Sequence, residues 1–427
     1  MGFFKILIKS FNIACEQVKQ NIEAQKRMNE LQEKKKMRMD AAGKQSIEDE
    51  VSMNIDARLP EKQSAGKPKN DVGRNVVWEN EKAGMSSPPP KEKVLEVNVP
   101  VLDDPVFYAT KAGVYYEKNV NIPEGYTEIG EESFESCNLR SISFPSTLKK
   151  ICYNAFHDCQ ELKQTDFSRC TSLQEIGDRA FYDSQLNHID FSKCTSLQEI
   201  GEESFENCEL RSISFPSALK KISSNAFYFC QELKHIDFSR CTSLQEVGEK
   251  AFAVCDKLEE IVLPDSVTVV GDECFGACSK LRKVVMPASL EELGDDVFEG
   301  CNSLEEIDLS KVTKLKVIPK GFETGNEKQM IIPMGVTTIR KDAFKCCAKY
   351  SLFLPPTLKN YKDTNGNWES VYLFAPPLDE LDNIFENSNN LYVLPKYLKE
   401  YKSIHKALGG WHEIHPMPDE YLYFYDS

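Results

Sequence analysis

The chain has 427 residues, a formal net charge of −15 and a pI near 5.1, which excludes a whole-protein nucleic-acid role because backbone phosphates need a basic face. Hydrophobic residues make up 41% of it, enough for a substantial core, yet no apolar run reaches the length of a membrane-spanning helix. The 15 cysteines form no CxxC pair matched by a second CxxC or a His pair, so a zinc-type site is not indicated.

Residues 1–40 read as one amphipathic basic helix. Phe4, Leu7, Ile8, Phe11, Cys15, Val18 and Ile22 follow helical spacing, and Lys5, Lys9, Lys19, Lys26 and Arg27 lie opposite. Such a helix suits an anionic membrane surface through residues 1–22, a partner helix, or its own protein. Lys9 interrupts the apolar start, so a signal peptide is not expected. Ile6 stands where myristoylation needs Ser or Thr, and Asn12-Ile13-Ala14-Cys15 is a poor lipoprotein cleavage site. Residues 41–100, with Ser86-Ser87-Pro88-Pro89-Pro90-Lys91, read as a flexible linker. Residues 101–125 place Val106-Phe107-Tyr108 and Val114-Tyr115-Tyr116 around a Lys-Ala-Gly turn, a hairpin-like N-terminal cap.

From there a phenylalanine returns at Phe134, Phe156, Phe181, Phe205, Phe227, Phe252, Phe275, Phe298, Phe322 and Phe344. A period near 23 residues is the mark of a solenoid, here over residues 126–350. In one clean unit Leu258, Ile261 and Leu263 run to Pro264 as a short strand would, Gly271 allows a tight bend, and Cys274-Phe275-Gly276-Ala277-Cys278 suits a short helical turn. Cys137, Cys159, Cys208, Cys230, Cys255, Cys278, Cys301 and Cys347 each follow a repeat Phe by three residues. Cys170, Cys194 and Cys241 recur in the phrase Cys-Thr-Ser-Leu. One cysteine per coil at one place predicts a column of small buried side chains, free as thiols, which fits a reducing compartment.

Glu131–Gly177 and Glu202–Gly248 match at all but ten positions, at an offset of 71. Three coils have therefore been duplicated, which a quasi-one-dimensional fold accepts easily. Residues 351–427 are less regular. Tyr361–Trp368 reads as a loop insertion, Phe385 with Leu391 as a last repeat, and the amphipathic stretch through Trp411 as a C-terminal cap.

The unit Leu-x-x-Ile-x-x-Pro, Val/Ile-Gly, Ala/Cys-Phe-x-x-Cys-x-x-Leu resembles the BspA-like class of leucine-rich repeats, over residues 120–415. The resemblance implies an α/β repeat solenoid with short parallel strands and short helical turns. It implies binding of protein, cell-surface or host partners, with no catalytic residues and no cofactor. Many relatives are secreted or surface-attached. The N-terminus here favours a cytoplasmic or membrane-peripheral location, with an exported, N-terminally anchored adhesin as the alternative.

No phosphate loop, GxSxG, HExxH or EF-hand loop occurs. His412, Glu413 and His415 make a weak metal candidate, and the irregular region Trp368–Trp411 is where an enzyme site would hide. The stronger candidate is the outward side of the strands, since strand side chains alternate faces. With Ile142, Ile189, Ile213, Ile236, Ile261, Val284 and Ile307 inward, one outward row holds Gln164, His188, His235, Glu260, Lys283 and Glu306. The next holds Asp166, Asp190, Asp237, Val262, Val285 and Asp308. An acidic row with an apolar patch at Val262 and Val285 suits a basic protein segment. Asp166, Asp190 and Asp237 alternatively cap turns or hold a cation weakly.

Overall fold

The computed structural model describes residues 104–322, 329–344, 351–362, 368–377, 388–407 and 413–422. The N-terminal helix, the linker, Phe385, Cys346, Cys347, Trp411 and His412 lie outside them.

Each coil contributes two strands, where the sequence suggested one. A three-residue strand such as Ser141–Ser143 buries its middle residue and leaves its neighbours partly exposed. A two-residue strand such as Lys150–Ile151 follows, with its Ile fully buried. The two kinds pair in parallel on separate faces. The two-residue strands form one nine-stranded sheet from Val106–Phe107 to Glu292–Leu293.

The expected helical turn is instead a run of tight turns. Residues two before and two after the repeat Phe take left-handed backbone, as at Glu132 and Ser136 (φ 53° each) or Asn154 and Asp158 (φ 52° and 56°). Left-handed residues break helical hydrogen bonding. They also turn alternate N–H groups toward the next coil: Phe134 donates to Ala155 O at 2.8 Å, Phe156 to Ala180 O at 2.7 Å, and Phe181 to Ser204 O at 2.8 Å. The turns thus make a third intercoil ladder, and buried backbone groups are satisfied. Residues 104–125 are likewise not a hairpin. Val106–Phe107 and Asn119–Asn121 each pair in parallel with the following coil, at Glu128–Ile129 and Ser141–Ser143, with a short helix, Ala109–Ala112, between them.

The repeat Phe rings stack down the core, with centroids 5.0 Å apart from Phe134 to Phe156 and 4.8 Å from Phe156 to Phe181, near-parallel in both cases. A second ring column, unread in the sequence, follows the three-residue strands through Phe144, Phe167 and Phe191. Among the described residues every cysteine is free and buried. From Cys159 on, the described thiols after a repeat Phe face the Phe carbonyl one coil back, Cys159 to Phe134 O at 3.0 Å, Cys208 to Phe181 O at 3.1 Å and Cys278 to Phe252 O at 3.2 Å, while Cys137 in the first coil lies 3.6 Å from the Cys159 sulfur. Where Ser184 stands in the column, its hydroxyl makes the same bond to Phe156 O at 2.8 Å. The column therefore selects a small side chain that can donate.

Toward the C-terminus the strands lengthen into a five-stranded parallel sheet running from Gln329–Ile331 through Ser351–Leu354, Trp368–Leu373 and Ser388–Val393 to Glu413–Pro416. Trp368 is buried at the start of a strand and meets Phe344 edge-on at 5.2 Å, so the stretch read as a loop insertion is anchored at that end. The helix Leu398–Ala407 packs Tyr401 into the core, its hydroxyl donating to Pro376 O at 2.8 Å.

Candidate recognition surface

The inward residues of the three-residue strands are placed as the alternation demands: Ile142, Ile189, Ile213, Ile261, Val284 and Ile307 are buried and Ile236 is half-buried. The outward rows align across the ladder, with His188, Ser212 and His235 in one file and Asp190, Ser214 and Asp237 in the next. Glu260, Lys283 and Glu306 continue the first file, and Val262, Val285 and Asp308 the second.

The face is not continuous. The three-residue strands fall into sets of three, with no pairing between Gln164–Asp166 and His188–Asp190, between His235–Asp237 and Glu260–Val262, or between Glu306–Asp308 and Gln329–Ile331. At each of these places the two-residue strands of the same coils stay paired, as Glu246–Val247 does with Val269–Val270. The coils therefore open as wedges on the three-residue face. Each break follows a longer connection beginning Asp-Phe-Ser or Asp-Leu-Ser, in which the Asp carboxylate accepts the Ser N–H: Asp166 from Ser168 at 2.9 Å, Asp237 from Ser239 at 2.9 Å, Asp308 from Ser310 at 2.8 Å. Asp190 makes the same bond to Ser192 without a break, so the turn alone does not open the face. These aspartates cap turns through Oδ1. The Ser239 bonds hold Asp237 below the usual carboxylate range.

The wedge between His235–Asp237 and Glu260–Val262 is a groove of about 920 Å³. It gathers five of the residues singled out from sequence: His235, Asp237, Glu260, Val262 and Val285. Phe238 and Cys241 form its floor, and Val262, 59% exposed, stands at its lip. The remaining candidates lie elsewhere. Gln164 and Asp166 sit on the first set of strands. His188 Nδ1 is 2.6 Å from Ser212 Oγ. Lys283 is engaged by Glu306 at 2.8 Å, which raises the lysine's pKa. Glu306 and Asp308 border a second groove, of about 460 Å³, with exposed Ile331 and Met334.

Sequence reasoning missed Lys234, Glu259 and Lys311 in the first groove, because alternation along one strand says nothing about where neighbouring coils part. It also missed the outward file beyond the third break. There Phe353 stacks on Tyr372 at 4.5 Å and Tyr372 on Tyr392 at 4.8 Å, and Tyr421 meets Tyr372 edge-on. The spacing of Phe353, Tyr372 and Tyr392 behind the strand pattern was the available signal.

Burial pushes Cys152 up to about 11, and Cys170, Cys230 and Cys241 up to about 12, which makes them poor nucleophiles and metal ligands. Among the described residues no group of three or more His, Cys, Asp or Glu side chains is arranged to hold a metal ion, and no helix is long and apolar enough to cross a membrane.

Stacked parallel coils with repeated Leu, Phe and Cys columns define a leucine-rich repeat solenoid. The chain belongs to the BspA type leucine rich repeat family, whose model matches residues 112–208, 167–255, 198–320 and 245–365, together more than half of the chain. Among solved structures, a leucine-rich repeat protein from Bacteroides ovatus is 23% identical, with a TM-score of 0.44 over 65% of this chain and 69% of that one. One from Eubacterium ventriosum is 20% identical, with a TM-score of 0.36 over 60% and 74%. The leucine rich repeat protein of T. pallidum is 26% identical, with a TM-score of 0.31 over 44% and 78%. No curated protein matches the chain in sequence.

Proposed function

We propose that the chain is a non-catalytic recognition protein that binds a protein partner through its three-residue-strand face, centred on the groove between His235–Asp237 and Glu260–Val262. One observation carries the reading: the break in the ladder sets exposed apolar Val262 beside the carboxylates of Asp237 and Glu260 in a single concavity. Concave sites with an apolar floor and a few polar groups are where proteins bind ligands, and charge around the rim selects the partner. Repeat proteins of this family are generally not enzymes, and burial makes thiols such as Cys170, Cys230 and Cys241 poor nucleophiles.

The test is site-directed photocrosslinking in cells that express the native chain. A benzoylphenylalanine at Val262 should capture a discrete partner, and one at Glu202, exposed on the turn side, should not. Capture from Glu202 with none from Val262 would move the recognition surface off this face.

A further inference from the structure

We propose that the groove receives an extended segment of a partner protein, alternating apolar and basic side chains, which enters as an added strand between His235–Asp237 and Glu260–Val262. The proposal rests on the recognition reading above and adds how the partner is held.

The backbone carries the argument. Where coils pair on this face, two kinds of bond recur. Lys234 N and His235 N donate to Arg211 O at 3.0 and 3.3 Å, and Phe215 N donates to Asp237 O at 3.2 Å. One coil beyond the groove the pattern repeats: Arg282 N and Lys283 N donate to Glu259 O at 2.8 and 3.3 Å, and Leu263 N to Val285 O at 3.1 Å. Across the groove neither kind is made among the described residues. The N–H groups of Glu259 and Glu260 do not meet Lys234 O, and Phe238 N–H does not meet Val262 O. Each wall is thus a strand edge that already pairs on its far side and presents unused donors and acceptors on its near side. Such an edge is a template for another strand. The two-residue strands of the same coils, Glu246–Val247 and Val269–Val270, remain bonded, so the wedge opens only on the side where a strand would enter.

The side chains state what kind of strand. A strand shows alternate residues to opposite faces. The floor is apolar at Phe238 and Leu263, with Val285 beside it on the outward file, so inward positions take apolar residues. The rim holds Asp237, Glu259, Glu260 and Asp265 against Lys234, Lys257 and Lys311. Lys257 is already engaged by Glu232 at 2.6 Å, leaving an acidic excess that favours lysine or arginine at the outward positions. The other breaks are less suited. The groove at Gln164, lined by Arg140, Glu161, Lys163 and Gln185, offers no apolar floor, and the one beside Gln329–Ile331 is mainly apolar.

The test uses the full chain and a fluorescein-labelled peptide of alternating lysine and valine, with fluorescence anisotropy as readout. Saturable binding is expected. It should weaken about tenfold or more when alternate peptide amides are N-methylated, which removes the donors along one edge and leaves the side chains. A similar loss is expected for Val262→Asp, a change at an exposed position, with circular dichroism showing the fold intact, and for Glu260→Lys. Equal binding of the N-methylated peptide would overturn strand insertion and leave recognition by side chains standing. So would no peptide binding by a chain that still crosslinks a partner through Val262. No binding and no crosslink would remove both readings. A dimer seen by sedimentation and lost in Val262→Asp would make the occupant a second copy and overturn the proposal.

Discussion

Ser133 and Ser204 hold the same place in the two copies of the duplicated block, one residue before the repeat Phe, and their hydroxyls have opposite fates. Ser133 accepts from Ala109 N at 2.9 Å and donates to Phe107 O at 3.3 Å, tying the first coil to the residues before it. Ser204 is fully buried, and its hydroxyl meets no partner. Other coils place Ala155, Ala180, Ala226 and Ala251 there. In mid-array Ser204 has no counterpart of the bonds that Ser133 makes with Ala109 and Phe107. An unsatisfied buried hydroxyl costs about 1–3 kcal/mol. Ser204→Ala is expected to stabilise the protein by about 1 kcal/mol or more and Ser133→Ala to destabilise it by a similar amount, read as opposite shifts in the urea midpoint at unchanged slope. Residue-scale features of this kind were only half legible in sequence. The burial of Phe156 or Cys230 follows from their period, but the partner of one hydroxyl depends on which coil lies next to it. The left-handed backbone at Val254 and Phe229 carried no glycine to announce it (φ 59° and 61°).

The element that repeats is a coil with three intercoil ladders: two of strands and one of turn amides. Because each coil bonds only to its neighbours, a block can leave if the new junction restores the same contacts. Deleting Glu131–Gly201 joins Gly130 to Glu202-Glu203-Ser204-Phe205, in place of Glu131-Glu132-Ser133-Phe134. The shortened chain is expected to fold cooperatively, with Ser204 taking over the bonds to Ala109 and Phe107. In that background Ser204→Ala should change sign and destabilise, by about 1 kcal/mol or more in urea unfolding. A stabilising effect that persists would show that the junction does not rebuild the contact. The three-residue strands, their inward side and the file of outward residues were legible from alternation stopped by proline. The two-residue strands were not, since Glu-Ile before Gly is too short for a period to appear. The tight turns were read as helical because Ala-Phe-x-x-Cys has helical spacing, and the left-handed residues that forbid a helix are mostly Asn, Asp, Glu and Lys, ordinary in either setting.

At the scale of the whole molecule, the acidic repeat array contrasts with the basic stretch at residues 1–40, which holds nine Lys and Arg against five Asp and Glu. We propose from that contrast that residues 1–22 attach the protein to anionic membrane. Deleting residues 2–22 should weaken co-sedimentation with phosphatidylserine–phosphatidylcholine vesicles about tenfold or more, and added salt should weaken the intact chain's binding in the same direction. Unchanged binding of the deletion would end that reading. The solenoid and its family were open to view in the sequence because a fixed period survives inspection without any neighbour in hand. The groove was not, because it exists only where one ladder lapses while the other persists. That asymmetry has a mechanical meaning. Hydrogen bonds joining coils along all three ladders make a stiff rod, whereas a place where one ladder lapses bends about the two that persist. The three lapses on the three-residue-strand face are therefore compliant joints at near-regular intervals, and a load drawn along the array would be taken up first by opening them, about the turn ladder and, at the first two, the stacked Phe column that runs through them.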